Sequence, residues 1–230
     1  MKYVKLYEEF SELNEKKVRL DAIAGQLLRD TFKKWATDWK SGKSEGYYME
    51  QVELPGLEFD YYATLLFQSK GFDILDSTGA DARDYDEDDD IDQTPFLQID
   101  FAVNPEWLPG YWSEIYMHLA DVIRHEIEHI TQGGEGIGNY RAGKPIEDDQ
   151  HLRSLIKAGI LPKHMYLLLL KEVDANLQGL RYEAKKKKLP MIDTVNKYLD
   201  TQDYLTPETR EEVMNNWRQR AAKIGGIPKF

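Results

Sequence analysis

The sequence contains no cysteine. Disulfides are excluded, and so are thiolate-ligated zinc and iron–sulfur centres, so a metal site here has to be assembled from His, Asp and Glu. Positive charge is also scarce: 30 Lys and Arg stand against 41 Asp and Glu, for a formal net charge of -11. A surface of that sign repels phosphate backbones, and nucleic acid is not expected as a partner. Long hydrophobic runs are missing as well. The most apolar cluster, Met165 to Leu170, is far short of the roughly 18 residues that a membrane-spanning helix needs. Met1 to Glu9 lacks the apolar centre of a signal peptide. The expectation is a cytoplasmic protein with no membrane partner. No internal repeat is found.

What the chain does have is 41% hydrophobic residues over 230 positions, enough for a globular domain with a core of its own. Val18, Ile23, Leu27, Leu28, Phe32, Trp35 and Trp39 recur at helical steps and predict an amphipathic helix over about 15–40. Glycines and serines at 41–46 stop it. Strands are predicted at Tyr47 to Leu54, Leu57 to Ser69 and Phe96 to Val103. The last two are expected to pair antiparallel across a polar connection that carries an acidic run, Asp84 to Asp92. A second helix is expected from Tyr111 or Trp112 to Thr131, with Ser113 placed to cap it. Further helices are expected over 148–158, from Pro162 to Lys187, over 191–199, and from Thr206 to about Lys223. The expected plan is a single α+β domain: an N-terminal helical extension at 1–45, a central part at 47–185, and C-terminal helices at 190–230.

The second helix carries His125-Glu126-Ile127-Glu128-His129. Residues four apart on an α-helix are offset by about 40° and a rise of roughly 6 Å, so both imidazoles can converge on one ion. Neutral imidazole is a good zinc ligand. Glu126, beside the first histidine, can reach a water activated at that ion and act as general base. A third protein ligand is required. Glu172, on the helix that ends near Lys187, is the best candidate, and Asp174 is its rival or a partner for a histidine N–H. Ala175 and Gly179 are small and four apart, which lets two helices approach closely.

With Glu172-Val173-Asp174-Ala175-Asn176 added to the His-Glu-x-x-His segment, the chain resembles zincin metallopeptidases with a glutamate third ligand. More narrowly, it is similar to ImmA/IrrE-like peptidases and to short His-Glu-x-x-His proteins of tailed bacteriophages. The resemblance spans roughly Phe96 to Leu180. It implies a zincin-like fold, with a small mixed or antiparallel sheet packed on the histidine helix and Phe96 to Val103 as the edge strand that aligns an extended peptide. It implies His125, His129 and Glu172 as zinc ligands and Glu126 as general base in hydrolysis of a peptide or protein substrate. It also implies a host-cytoplasm or virion location, with a further copy of the chain or a virion component as partner. The alternatives are a non-catalytic phage structural or regulatory protein that keeps the fold and metal, and a zinc-free helical module. Glu128 departs from the pattern, since zincin helices usually carry an uncharged residue there.

Other polar groups have weaker claims. His118 is read as a packed or surface histidine. His151, His164, Tyr140, Tyr166 and Tyr182 are candidate transition-state donors, and with 14 tyrosines in the chain the sequence selects none. The acidic run lacks the glycine and the final glutamate of an EF-hand and is read as a solvated loop. Lys185 to Lys188 suits the negative end of a helix dipole.

Overall fold

A computed structural model describes residues 2–54, 57–68, 75–83, 96–132, 147–224 and 226–230. The acidic run 84–92 and the glycine-rich stretch after Gln132, with Tyr140, lie outside the described residues. The elements are α1 (Lys2–Lys40), β1 (Glu45–Leu54), β2 (Leu57–Phe67), β3 (Leu75–Arg83), β4 (Phe96–Val103), α2 (Trp112–Gln132), α3 (Glu147–Lys157), α4 (Leu170–Lys187), α5 (Met191–Asp200) and α6 (Pro207–Ile224). The chain is α+β. Among the described residues no helix is long and apolar enough to cross a membrane.

The four strands form a mixed sheet in the order β1-β2-β4-β3. β1 and β2 make an antiparallel hairpin that closes at Leu54 and Leu57. β2 and β4 run parallel, with Tyr61 opposite Leu97 and Leu65 opposite Phe101. That corrects the expected antiparallel pairing. It also moves Phe96–Val103 from the edge to the interior of the sheet, because β3 pairs antiparallel along its other side. β3 was hidden in sequence: Leu-Asp-Ser-Thr-Gly-Ala-Asp-Ala-Arg has no apolar alternation, and its register shifts between Ser77 and Gly79. Pairing with β4 overrides its weak strand propensity.

Alternation along the two inner strands decides which face is covered. Phe59, Tyr61, Ala63 and Leu65 of β2, and Leu97, Ile99, Phe101 and Val103 of β4, are fully buried. They meet Leu20, Ala24, Leu27, Leu28 and Trp35 of α1 and the Ile115, Leu119, Ile123, Ile127 and Ile130 stripe of α2. A second core lies between α4, α5 and α6, around Val173, Leu177, Leu180, Val195, Leu199, Val213 and Trp217. α4 therefore packs on both sides, against α2 on one face and against the C-terminal helices on the other.

Two helix starts differ from expectation. Ser113 lies inside the first turn of α2 and donates to the Glu114 carboxylate instead of capping the helix. The helix expected from Pro162 is divided: residues 163–168 form a 3-10 turn, and α4 begins at Leu170. The turn is held from below by Trp217, whose indole N–H donates to the Leu167 carbonyl at 2.7 Å. Thr206 does cap α6, through reciprocal hydrogen bonds with Thr209.

Trp217→Phe keeps most of the apolar bulk but leaves the buried Leu167 carbonyl without that donor. The expected loss is about 1–3 kcal/mol, read as a lower urea midpoint at unchanged slope. An unchanged midpoint would show that the indole hydrogen bond does not anchor the 163–168 turn.

Candidate metal centre

α2 presents His125 and His129 on one face, and their Nε2 atoms lie 3.0 Å apart. α4 brings Glu172 opposite them: Oε1 is 3.5 Å from His129 Nε2, and Oε2 is 3.9 Å from His125 Nε2. The three donor atoms all lie within 4.8 Å of one another. Bonds of about 2.0–2.1 Å to a tetrahedral zinc would separate neighbouring donors by roughly 3.3 Å. The set of two imidazoles and a carboxylate fits such an ion in both chemistry and spacing. Glu172 is 1% exposed and the histidines are half-buried. Glu126 is buried beside them, with Oε1 3.9 Å from His125 Nε2.

The convergence depends on how closely α2 and α4 approach. A Cβ added at Gly179 would fall 2.5 Å from Asp121 Oδ1, 3.0 Å from the Asp121 backbone carbonyl oxygen and 3.3 Å from His125 Cβ. Ala175, one turn earlier, is fully buried. Two small residues on one face of α4 thus lay its backbone almost onto α2 at the histidine turn. Asn176, in the same stretch, turns its side chain back to donate to the Glu172 carbonyl at 2.8 Å, which stiffens the turn that carries the ligand.

Glu128, the unusual charged residue in the histidine segment, has a structural role. It accepts from Arg124 Nη1 at 2.9 Å, and Arg124 Nε donates to Asp21 of α1 at 3.2 Å. Asp21 also binds Arg181 of α4, at 2.6 and 3.1 Å. Arg124 is fully buried, so an acidic partner in reach is needed to offset its desolvation. Burial alone would push the Asp21 carboxyl up, but Arg181 and Arg124 together hold it below the ordinary carboxylate value. The network ties α1, α2 and α4 together along the stripe of α2 next to the one that carries the two histidines.

Asp174 is corrected as a rival ligand: it pairs with Arg220 of α6 in a two-point contact at 2.5 Å. His118 stacks on Phe101 with ring centroids 5.0 Å apart. His164 faces Glu212 at 3.6 Å, and His151 is exposed. Tyr182 has a buried hydroxyl without a hydrogen-bond partner among the described residues, near Gly25 of α1. Tyr166, on the 3-10 turn, belongs to the site: burial first, then the charge and hydrogen bonding of Glu172, with Glu126 adding to them, push its phenol well above the usual range. It stays a protonated donor at neutral pH. Arg153 of α3 was missed in sequence. Its guanidinium donates to Glu172 Oε1 and lies 5.5 Å from the centre of the Tyr166 ring. A single arginine on a short polar helix carries no pattern that could have singled it out.

Burial, and then the nearby positive charges of His129, Arg124 and Arg153, hold the His125 imidazole well below its ordinary pKa. It is therefore neutral at physiological pH, the form that ligates metal. No protein-family profile, curated protein or solved structure matches the chain.

Gly179→Ala would ordinarily stabilise a helix by up to about 1 kcal/mol. Here the added carbon meets backbone at 3.0 Å, so the sign should reverse, to a loss of about 1–3 kcal/mol. Thermal unfolding should show a lower Tm and metal titration a weaker site; a stabilised variant would contradict the close approach.

His118 and His125 both have folded-state pKa values lowered by burial. The unfolded chain then binds more protons than the folded one below about pH 6.5, so their contribution to stability is present above that value and lost as the pH falls. Asp121 acts in the opposite sense. Burial raises its pKa to about 8, so its contribution is present below the ordinary carboxylate value and lost as the pH rises toward 8. Urea unfolding of chelator-treated protein should show His118→Phe flattening the loss between pH 6.5 and 5. An unchanged slope would place the titration elsewhere.

Proposed function

We infer that this chain is a zincin-like metallopeptidase: a zinc-dependent hydrolase that cleaves a peptide bond of a peptide or protein substrate. The observation that carries the reading is the convergence of His125, His129 and Glu172, with Glu126 set beside the first histidine. His125, His129 and Glu172 would hold the ion. Zinc bound there would supply Lewis acidity toward a carbonyl oxygen and toward water.

The chain's own residues would do the rest. His125 would enter as a neutral ligand, because burial opposes its protonation. Glu126 lies outside the triad and would take a proton from the attacking water and return it to the departing amine. Tyr166 keeps its proton and lies against Glu172, from where its O–H would turn to stabilise negative charge that develops on the carbonyl oxygen. Buried Asn176 and the Gly179 contact hold Glu172 in place, which limits the reorganisation the site must undergo. A cytoplasmic location, or a virion one with a virion component as partner, follows from the phage resemblance and is part of the proposal.

A metal-free helical module is the second reading. It is favoured by one observation: Arg153 already compensates the buried charge of Glu172.

The readings separate in one series. Protein purified without chelator should carry one zinc per chain and hydrolyse members of a diverse peptide library. Glu126→Gln should keep the zinc and lose hydrolysis by about 10²-fold or more. Absence of zinc would favour the helical module, and zinc without hydrolysis in the wild type would leave a non-catalytic metal protein.

A further inference from the structure

We propose that Arg153, set over the Tyr166 ring, forms an anion subsite at the mouth of the metal centre, and that the substrate carries a carboxylate within a residue or two of the cleaved bond. This deepens the metallopeptidase reading and rests on it.

The two partners of the ion pair differ in access. Glu172 has 2% of its side chain exposed and Arg153 has 40%. The carboxylate is sealed between helices, while the guanidinium closes the solvent side. Arg153 engages Glu172 through Nη2 alone. An arginine has five N–H donors in a fixed planar fork. Its other contact among the described residues is with the face of the Tyr166 ring, which supports the plane of the fork without using its N–H groups. Among the described residues, donors are therefore left over for a second acceptor, next to the phenol that reaches Glu172.

Charge points the same way. Without metal, Glu126 and Glu172 contribute two negative charges, and Arg153 offsets one. A divalent ion in the triad balances both carboxylates, so Arg153 leaves the centre with one net positive charge on its exposed side. The other cation near His125, Arg124, is fully buried and committed to Asp21 and Glu128. The protein as a whole is acidic, at -11, and its overall field opposes an anion, so attraction of a carboxylate has to come from this local guanidinium at short range. A planar guanidinium binds carboxylate in two-point geometry. The carboxylate can be the end of a peptide chain or an Asp or Glu side chain; the chemistry is the same.

The test is peptide binding by calorimetry to the full chain, zinc-loaded and carrying Glu126→Gln so that nothing is cleaved. Three versions of one neutral tetrapeptide serve as probes: capped at both ends, with a free C-terminal carboxylate, and capped with one residue replaced by Asp. At least one carboxylate peptide should bind about tenfold or more tightly than the capped neutral one, the scale of a charge-assisted pair. Which of the two does so identifies the source of the carboxylate. Adding Arg153→Gln should abolish the preference while zinc stays at one per chain, and Arg153→Lys should keep part of it.

Equal binding of all three peptides, or a preference that survives Arg153→Gln, overturns the subsite and leaves the metallopeptidase reading in place. Loss of zinc in Arg153→Gln also overturns it, because Arg153 would then act by holding Glu172 for the ion. No binding of any peptide with zinc in place overturns both.

Discussion

The structure depends on one close contact, the approach of α4 to α2 at Gly179. Glu172 lies two turns before that glycine, and the histidines lie at and one turn beyond the point it touches on α2. With no side chain at 179, the backbones come near enough for a glutamate to reach two imidazoles 3.0 Å apart. A methyl group there would meet a backbone carbonyl that cannot rotate away. Other interactions act by keeping this contact in register. The Asp21–Arg124–Glu128–Arg181 network fixes α1, α2 and α4 beside the histidine face, and the second core presses α4 from behind.

That network bears on specificity more than on stability. A fully buried guanidinium is costly, and its ion pairs do little more than offset the desolvation. Apolar residues of similar volume could hold the helices together as well. What the charges add is directional: Asp21 of α1 pairs at once with Arg124 of α2 and Arg181 of α4, and that geometry opposes sliding of α4 along α2. The metal triad tolerates little sliding, since about 1 Å would carry Glu172 out of range.

Much of this was legible in the sequence, for reasons that differ by element. The histidine helix was readable because its apolar stripe and its four-residue histidine spacing share one period. Glu172 and Gly179 were readable together because a ligand and a small residue on one helix face suit a shared ion. β3 was not readable: a strand of alternating polar and small residues, with a register shift, takes its conformation from its neighbour. The parallel pairing of β2 and β4 was missed with it, since it is β3 that carries the chain back so that β4 can run in the direction of β2. Asp174 was given a place near the metal by its sequence neighbourhood, yet a helix turns about 200° in two residues, and it faces Arg220. Arg153 and Tyr166 come from separate short elements and meet Glu172 in space alone; no spacing rule connects them.

The central claim is that His125, His129 and Glu172 share one ion. X-ray absorption at the zinc edge of the zinc-loaded protein tests it most directly. The account predicts a low-coordinate nitrogen and oxygen shell at about 2.0–2.1 Å with the outer-shell scattering of two imidazoles, altered in Glu172→Gln and lost in a His125→Ala, His129→Ala double variant. A spectrum of hexahydrated zinc, or one that the double variant leaves unchanged, would contradict it.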